Sequence, residues 1–361
     1  MSPKADPRNL RASTSRGARP TMRDVATVAN VSFKTVARVV HGERWVREET
    51  AARVNDAIRQ LGYQPNDIAS NLKRGVSRDT IGLVIADVAN PFFSTIARAV
   101  EDVIRERHMM IITASIDEDR ERERAVVDSL VKQRVTGLLV VPVGKDHRYL
   151  SRERRMGMPV VFIDRPPGRI RADVVLVDNI GGARSAVDHL IAHGHSRIGI
   201  VGDRLDVHTM SERYAGYQRA LDAAGITPDA TLARFDCHSS ADAEARVIEL
   251  LALPSPPTAL FGTNNRMTVG AALALARQQR RIALVGFDDF ELATALAPPV
   301  TVVTVDTDDL GSTAARMLLR RLDGWTGAAD RIVLPTRLVV RGSGEVRPSE
   351  PHLASPRRTH R

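Results

Sequence analysis

A single cysteine, Cys237, in 361 residues excludes an intramolecular disulfide framework and fits a reducing compartment. No uninterrupted apolar stretch approaches the ~18 residues that a membrane span requires. Residues 1–20 are polar, carry Pro3, Pro7 and Pro20, and lack the apolar core of a secretory leader. A cytoplasmic location without membrane attachment is therefore expected. Catalytic signatures are also missing. Gly181-Gly182 and Gly286 do not follow a first strand as a dinucleotide fingerprint would, and no Ser-His-Asp or Cys-His arrangement is legible. His189 and His193 stand four apart with no Glu suitably placed between them, and with His195 they read as a helix terminus rather than a metal site. Neither enzyme activity nor a cofactor or metal is expected. The end of the chain shows no leucine heptad and so gives no sign of a coiled-coil tetramer.

What is present is enough chain, 43% hydrophobic, for two or three domains with sizeable cores. The net charge of +9 is placed at the ends. Residues 1–20 set Lys4, Arg8, Arg11, Arg16 and Arg19 against Asp6; residues 21–75 carry nine basic against six acidic groups; from Arg341 onward five arginines face Glu345 and Glu350. The large middle is close to neutral and is not itself a polyanion binder.

One short stretch, Thr21 to His41 (TMRDVATVANVSFKTVARVVH), organises the reading. Val25, Ala26, Val28 and Ala29 give a first helix one apolar face. After Asn30-Val31 a second helix opens at Ser32, whose hydroxyl can cap a first turn. In that helix Val36, Val39 and Val40 fall on one side, and Phe33, Lys34, Ala37 and Arg38 on the other. Lys34 and Arg38 can donate to guanine, Phe33 offers apolar contact, and Thr35 can reach a phosphate from the flank. Arg47 to Leu61 reads as a third helix, with Ala51, Val54, Ala57, Ile58 and Leu61 closing a small three-helix core.

The run Asp24-Val25-Ala26, then Val31-Ser32-Phe33, Thr35-Val36, Arg38 and Val39-Val40, with Gly62-Tyr63-Gln64-Pro65-Asn66 beyond, resembles the N-terminus of the LacI/GalR family of bacterial transcription regulators. The likeness continues to about Val340. It implies DNA contacts from Thr21, Met22, Ser32, Phe33, Lys34, Thr35 and Arg38. It also implies a hinge helix in residues 66–75, where Asn66, Ala69, Leu72 and Lys73 meet DNA and Leu72 wedges into the minor groove. Three positions depart from the common pattern: Ala37 stands for serine, His41 for asparagine, and Asp67 for arginine or alanine. The last puts a carboxylate near phosphates.

From Thr80 onward apolar runs alternate with amphipathic ones. IGLVIAD, MIITASI, GLLVVPV and VVFID form a first set of strands; VVLVD, RIGIVGD, TALFGT, RIALVGFD and VTVVTVD form a second. Buried parallel strands with crossover helices predict two doubly wound lobes, with a ligand between them outside the carboxyl ends of the strands. That rule selects Asn90, Phe92, Phe93, Asp164, Arg165, Arg213, Asn264, Asn265, Asp288, Asp289 and Asp306. Carboxylates, amides and guanidinium forks suit adjacent sugar hydroxyls, and a Phe ring suits a sugar's C–H face. Any one of these polar residues could instead simply cap a helix.

The resemblance likens the lobes to periplasmic sugar-binding proteins and implies ligand contact at Asn90, Phe93, Arg165, Arg213, Asn264 and Asp288. Asn265 stands where aspartate is usual and Asp306 where glutamine is frequent, which would suit a ligand offering more donors. The link RQQRRIALVG lacks the usual glycine-and-proline turn.

The expected architecture is an N-terminal all-α helix-turn-helix headpiece and an α/β effector domain of two doubly wound, periplasmic-binding-protein-like lobes. The segments are a disordered basic tail (1–20), the DNA-binding domain (21–65), hinge and linker (66–78), the ligand-binding and dimerisation domain (79–341), and a second disordered basic tail (342–361). The expected function is a homodimeric transcriptional regulator on a pseudopalindromic operator, most simply a repressor released by a sugar or sugar derivative. A corepressor-dependent regulator with a non-sugar ligand and a transport-associated sugar-binding protein remain as alternatives.

Overall fold

The computed structural model describes residues 20–40, 45–63 and 80–348. The hinge positions Asn66, Asp67, Ala69, Leu72 and Lys73, the departure at His41, and the outer parts of both tails lie outside the described residues. The chain divides into two units, residues 1–78 and 79–361.

In the first unit, α1 (Met22–Ala29), α2 (Phe33–Val40) and α3 (Glu48–Leu61) enclose Val25, Ala29, Val36, Val54, Ala57 and Tyr63. Thr21 and Asp24 form a capping box at the start of α1. Asn30 ends that helix in the left-handed conformation at φ 51°, and Ser32 Oγ accepts from the Thr35 amide at 3.1 Å to start the next. One sequence expectation fails here. Val28 is 40% exposed rather than part of the inner face, because an eight-residue helix turns only a narrow stripe toward two partners and Val25 and Ala29 already fill it.

The second unit holds two six-stranded sheets, ordered β11-β5-β4-β3-β1-β2 and β12-β10-β9-β8-β6-β7. The first contains β1 (Thr80–Ile85), β2 (Met110–Ser115), β3 (Gly137–Val140), β4 (Val160–Ile163), β5 (Asp173–Val177) and β11 (Arg331–Leu334), all parallel. The second contains β6 (Ile198–Val201), β7 (Ala233–Arg234), β8 (Ala259–Gly262), β9 (Ala283–Phe287) and β10 (Thr301–Thr304), with β12 (Arg337–Val339) antiparallel at its edge. Helices α4 (Pro91–Arg105), α5 (Arg120–Lys132), α6 (Ser151–Arg155) and α11 (Thr307–Leu322) belong to the first lobe. Helices α7 (Asn179–Ala192), α8 (His208–Ala223), α9 (Ser240–Leu251) and α10 (Asn265–Arg277) belong to the second. Each sheet is buried on both faces, which is why its strands read as continuous apolar runs.

Three corrections follow. VVLVD, expected in the second set, is β5 of the first sheet, with Phe162 opposite Val174 and Ile163 opposite Val175; a strand apolar on both faces carries no mark of which sheet it joins. The edge strands β11 and β12 were not expected, since half-exposed edges lack the apolar run. Residues 342–348 are not a loose tail: Ser343 Oγ donates to the Leu284 carbonyl and Val346 packs in the second lobe's core. The buried His195 holds this segment, its Nε2 donating to the Val346 carbonyl at 2.7 Å while its Nδ1 lies 2.9 Å from Thr258 Oγ1, and His189 pairs with Glu345. The histidine cluster thus anchors chain. Among the described residues no acidic or His/Cys cluster is arranged for a metal ion, and no helix is long and apolar enough to cross a membrane.

Paired helices approach closely over glycine. A Cβ on Gly216 of α8 would stand 2.5 Å from the Ile180 carbonyl oxygen, and one on Gly311 of α11 would stand 2.6 Å from that of Ile96. Backbone cannot yield as a side chain can, so Gly311→Ala should cost about 1–3 kcal/mol, read as a lowered urea midpoint with an unchanged slope; full stability would show that α4 and α11 part readily.

Candidate functional site

Because parallel strands all end on the same side of their sheet, the carboxyl ends of both sheets supply the loops that face each other across one cleft. Its volume is about 370 Å³. Asn90, Phe92, Phe93, Asp164, Arg165, Arg213, Asn264 and Asp288 all line it. Asp306 does not: it is exposed and caps α11, its Oδ1 accepting from the Asp309 amide at 2.9 Å. Its helix belongs to the first lobe's outer layer, so the carboxylate serves that helix instead of the cleft. Asn265 also lies off the cavity wall. Its Nδ2 donates to Asn90 Oδ1 at 2.8 Å, tying one lobe to the other, which an aspartate at this position would not do. Asp289 is likewise occupied elsewhere, receiving both terminal nitrogens of Arg341 at 2.7 and 2.6 Å.

Two of the lining residues also cap helices. Asn90 Oδ1 accepts from the Phe92 amide at 3.1 Å and Asn264 Oδ1 from the Met267 amide at 3.0 Å. Phe92 and Phe93 meet edge to face with centroids 5.1 Å apart, presenting an apolar wall at the start of α4.

Arg213 is buried and fully engaged. Its Nε donates to Asn179 Oδ1 at 2.8 Å, Nη1 to the Thr263 carbonyl at 2.6 Å, and Nη1 and Nη2 to the Asp288 carboxylate at 2.9 and 3.2 Å. Its guanidinium lies 3.7 Å over the Phe287 ring. Asp164 and Asp288 close the ends of β4 and β9 in the left-handed region, at φ 68° and 62°, a conformation that Asp tolerates better than bulkier residues.

Sequence reasoning missed Asp87, Asp117, Glu118, Asp203, Arg204, His238 and Arg266, which also line the cleft. The strand-end rule reaches Asp87 after β1, Glu118 after β2 and Asp203 after β6, had it been applied to every strand. His238 follows the two-residue β7, which leaves no periodic signal. It binds Asp203 Oδ1 at 3.0 Å, Glu118 receives Arg165, and Arg266 pairs with Asp87 across the lobes. Three buried polar atoms of the cleft have no hydrogen-bond partner: Asp164 Oδ1, Arg165 Nε and Thr263 Oγ1. Buried polar groups normally have one. Cys237, which precedes His238 and is buried, has its thiol pushed up to about 11 by burial.

Burial pushes the Asp164 carboxyl above the ordinary carboxylate range, with the charges of Arg165 and Arg213 offsetting it in part. Burial also opposes ionisation of Asp87, but the hydrogen bonds from Arg266 and the Ala89 amide, with the charge of Arg266, outweigh it and hold that carboxyl low. The two act oppositely on stability. Asp87 contributes stability above the unfolded value of about 3.9, lost as pH falls through its lower folded value. Ionised Asp164 costs stability above its raised folded value, a cost that disappears as the group takes up its proton on acidification.

The matches to known proteins follow the same division. Residues 21–66 match the model for bacterial regulatory proteins of the lacI family, and residues 187–344 match a periplasmic binding protein-like domain. The chain is 33% identical to the ribose operon repressor of Escherichia coli strain K12 over 331 residues, 90% of this chain and 99% of that one. It is similar to the structure of the transcriptional regulator CelR in complex with cellobiose, at TM-score 0.67 and 33% identity, over 90% of this chain and 100% of that one. The lac repressor dimer bound to operator and the anti-inducer ONPF matches at TM-score 0.75 and 27% identity, over 91% of this chain and 99% of that one.

Asp164→Asn keeps the left-handed backbone accessible and removes the desolvated charge. In the unliganded protein it should raise stability at neutral pH, with the gain shrinking as pH falls through the range in which Asp164 protonates. Urea unfolding across pH checks this; no gain at neutral pH would mean that the ionised carboxylate is fully compensated in place.

Proposed function

The chain belongs to the LacI family of bacterial regulatory proteins, and from that premise we propose that it is a cytoplasmic transcriptional repressor whose hold on an operator is set by a small sugar or sugar derivative in the cleft. The observation that carries this reading is the pair of unpartnered buried oxygens, Asp164 Oδ1 and Thr263 Oγ1. They sit on opposite lobes, and a ligand bonding to both stabilises one lobe arrangement over others. Its effect on DNA binding is then the difference in its affinity for the arrangements. Hydroxyl-rich ligands suit this pair, and cellobiose and ribose, the sugars of the CelR complex and of the ribose operon repressor's name, are of that class. The reading gives no residue a catalytic role.

On the DNA side, Phe33 and Lys34 stand exposed on α2 and Arg38 lies on the same outer face. Two copies of the chain place these helices in successive major grooves of a pseudopalindromic site. Thr21, Met22, Ser32 and Thr35 flank them; Thr21 and Ser32 serve first as caps, and Met22 is partly buried against the headpiece core. Asn66, Ala69, Leu72 and Lys73 complete the DNA-contacting set in this reading.

The test is a titration of purified protein on its own upstream DNA at two salt concentrations, with and without a panel of sugars. Arg38→Ala should weaken specific binding by about tenfold to a hundredfold while sparing the sugar response. Asp164→Ala should bind DNA as wild type does and lose that response. Wild-type binding that is blind to sequence and abolished by modest salt would refute the regulator reading.

A further inference from the structure

Every arginine of the cleft already has a carboxylate. Arg213 holds Asp288, Arg266 holds Asp87, and Arg204 Nε reaches Asp206 Oδ1 at 2.9 Å. Arg165 Nη1 and Nη2 each donate to one Glu118 carboxylate oxygen at 2.6 Å, a bidentate fork between a buried guanidinium and a partly exposed carboxylate. Glu118 is delivered there by an unusual loop. It and Asp117 both stand in the left-handed region, at φ 57° and 50°, a conformation that non-glycine residues hold only where the surroundings demand it. Two further carboxylates face the same space: Asp164, whose Oδ1 has no hydrogen-bond partner while its Oδ2 lies 3.5 Å from Arg165 Nε, and Asp203, which faces His238.

Resting on the reading of the cleft as the effector site, we propose that Glu118 determines its specificity: by occupying both terminal nitrogens of Arg165 it confines the effector to neutral or amine-bearing molecules and excludes phosphorylated and carboxylated ones. An anion entering the cleft has to displace Glu118 from a geometry matched on both nitrogens, and it then lies beside the Asp164 carboxylate. A hydroxyl or ammonium group meets neither obstacle, and either one supplies the donor that Asp164 Oδ1 lacks.

Inorganic phosphate is a sufficient probe, titrated calorimetrically into full-length wild type, Glu118→Gln, Glu118→Ala and the double variant Glu118→Gln/Arg165→Gln. Removing the carboxylate exposes the guanidinium fork, so the Glu118→Gln protein should bind phosphate at least about tenfold more tightly than wild type. The double variant should lose that gain. Glu118→Ala gives the same test should the Gln variant not fold. Phosphate binding by wild type equal to that of the variants, no gain in either single variant, or a gain that survives loss of Arg165 would each overturn the proposal. Operator titration on the same wild-type preparation keeps the two readings apart. Failure to bind operator strikes the regulator reading and leaves the phosphate comparison intact, whereas intact operator and sugar responses with no phosphate gain strike the role of Glu118 alone.

Discussion

The Arg213 guanidinium is the interaction on which the second lobe's binding edge depends. It gathers the start of α7 through Asn179, the end of β8 through the Thr263 carbonyl and the end of β9 through Asp288, and it lies flat on Phe287. Three segments far apart in sequence are thereby fixed around one buried cation. Removing either partner of such a pair leaves an uncompensated charge, a loss of about 3–5 kcal/mol. Asp288 is therefore wall before it is ligand contact. In the proposed reading, selectivity falls to groups outside this network: Glu118 on Arg165, and the unpartnered oxygens of Asp164 and Thr263.

The lobes are joined lightly by comparison. The chain passes between them after β5, after β10 and between β11 and β12. Across the cleft, Asn265 meets Asn90 and Arg266 meets Asp87. Contacts this few and this polar are close in free energy to their hydrated alternatives. In the proposed reading, a ligand that bonds to both lobes decides between their arrangements, and a small difference in affinity is converted into a change of state.

Much of the site was legible because it follows from topology. Once parallel strands are read, their carboxyl ends must carry the binding loops, and eight of the eleven residues selected that way line the cleft. The failure at Asp306 has the same origin as the success. A strand end is also a helix start, and an Asp there satisfies either role; α11 happens to leave for the other lobe. The strand-end rule points to the position of Glu118 after β2 but not to its role, because nothing in the local sequence announces two consecutive left-handed residues without glycine, and its partner Arg165 lies 47 residues further on. Asn265 looked like an altered ligand contact and is a bond between lobes, a distinction set by a partner 175 positions away.

The sequence by itself determined the elements: the paired short helices with one apolar face, the buried strands as unbroken apolar runs, the helix caps and the segregation of basic residues to the ends. These depend on periodicity and on hydrogen bonds within a few residues, so local spacing suffices. Tertiary structure decided which sheet β5 joins, where the edge strands β11 and β12 attach, that residues 342–348 are anchored, and which arginines of the cleft are already neutralised. Each of those rests on contacts between residues far apart in the chain, where burial on both faces erases the local pattern and charge pairing depends on distance in space.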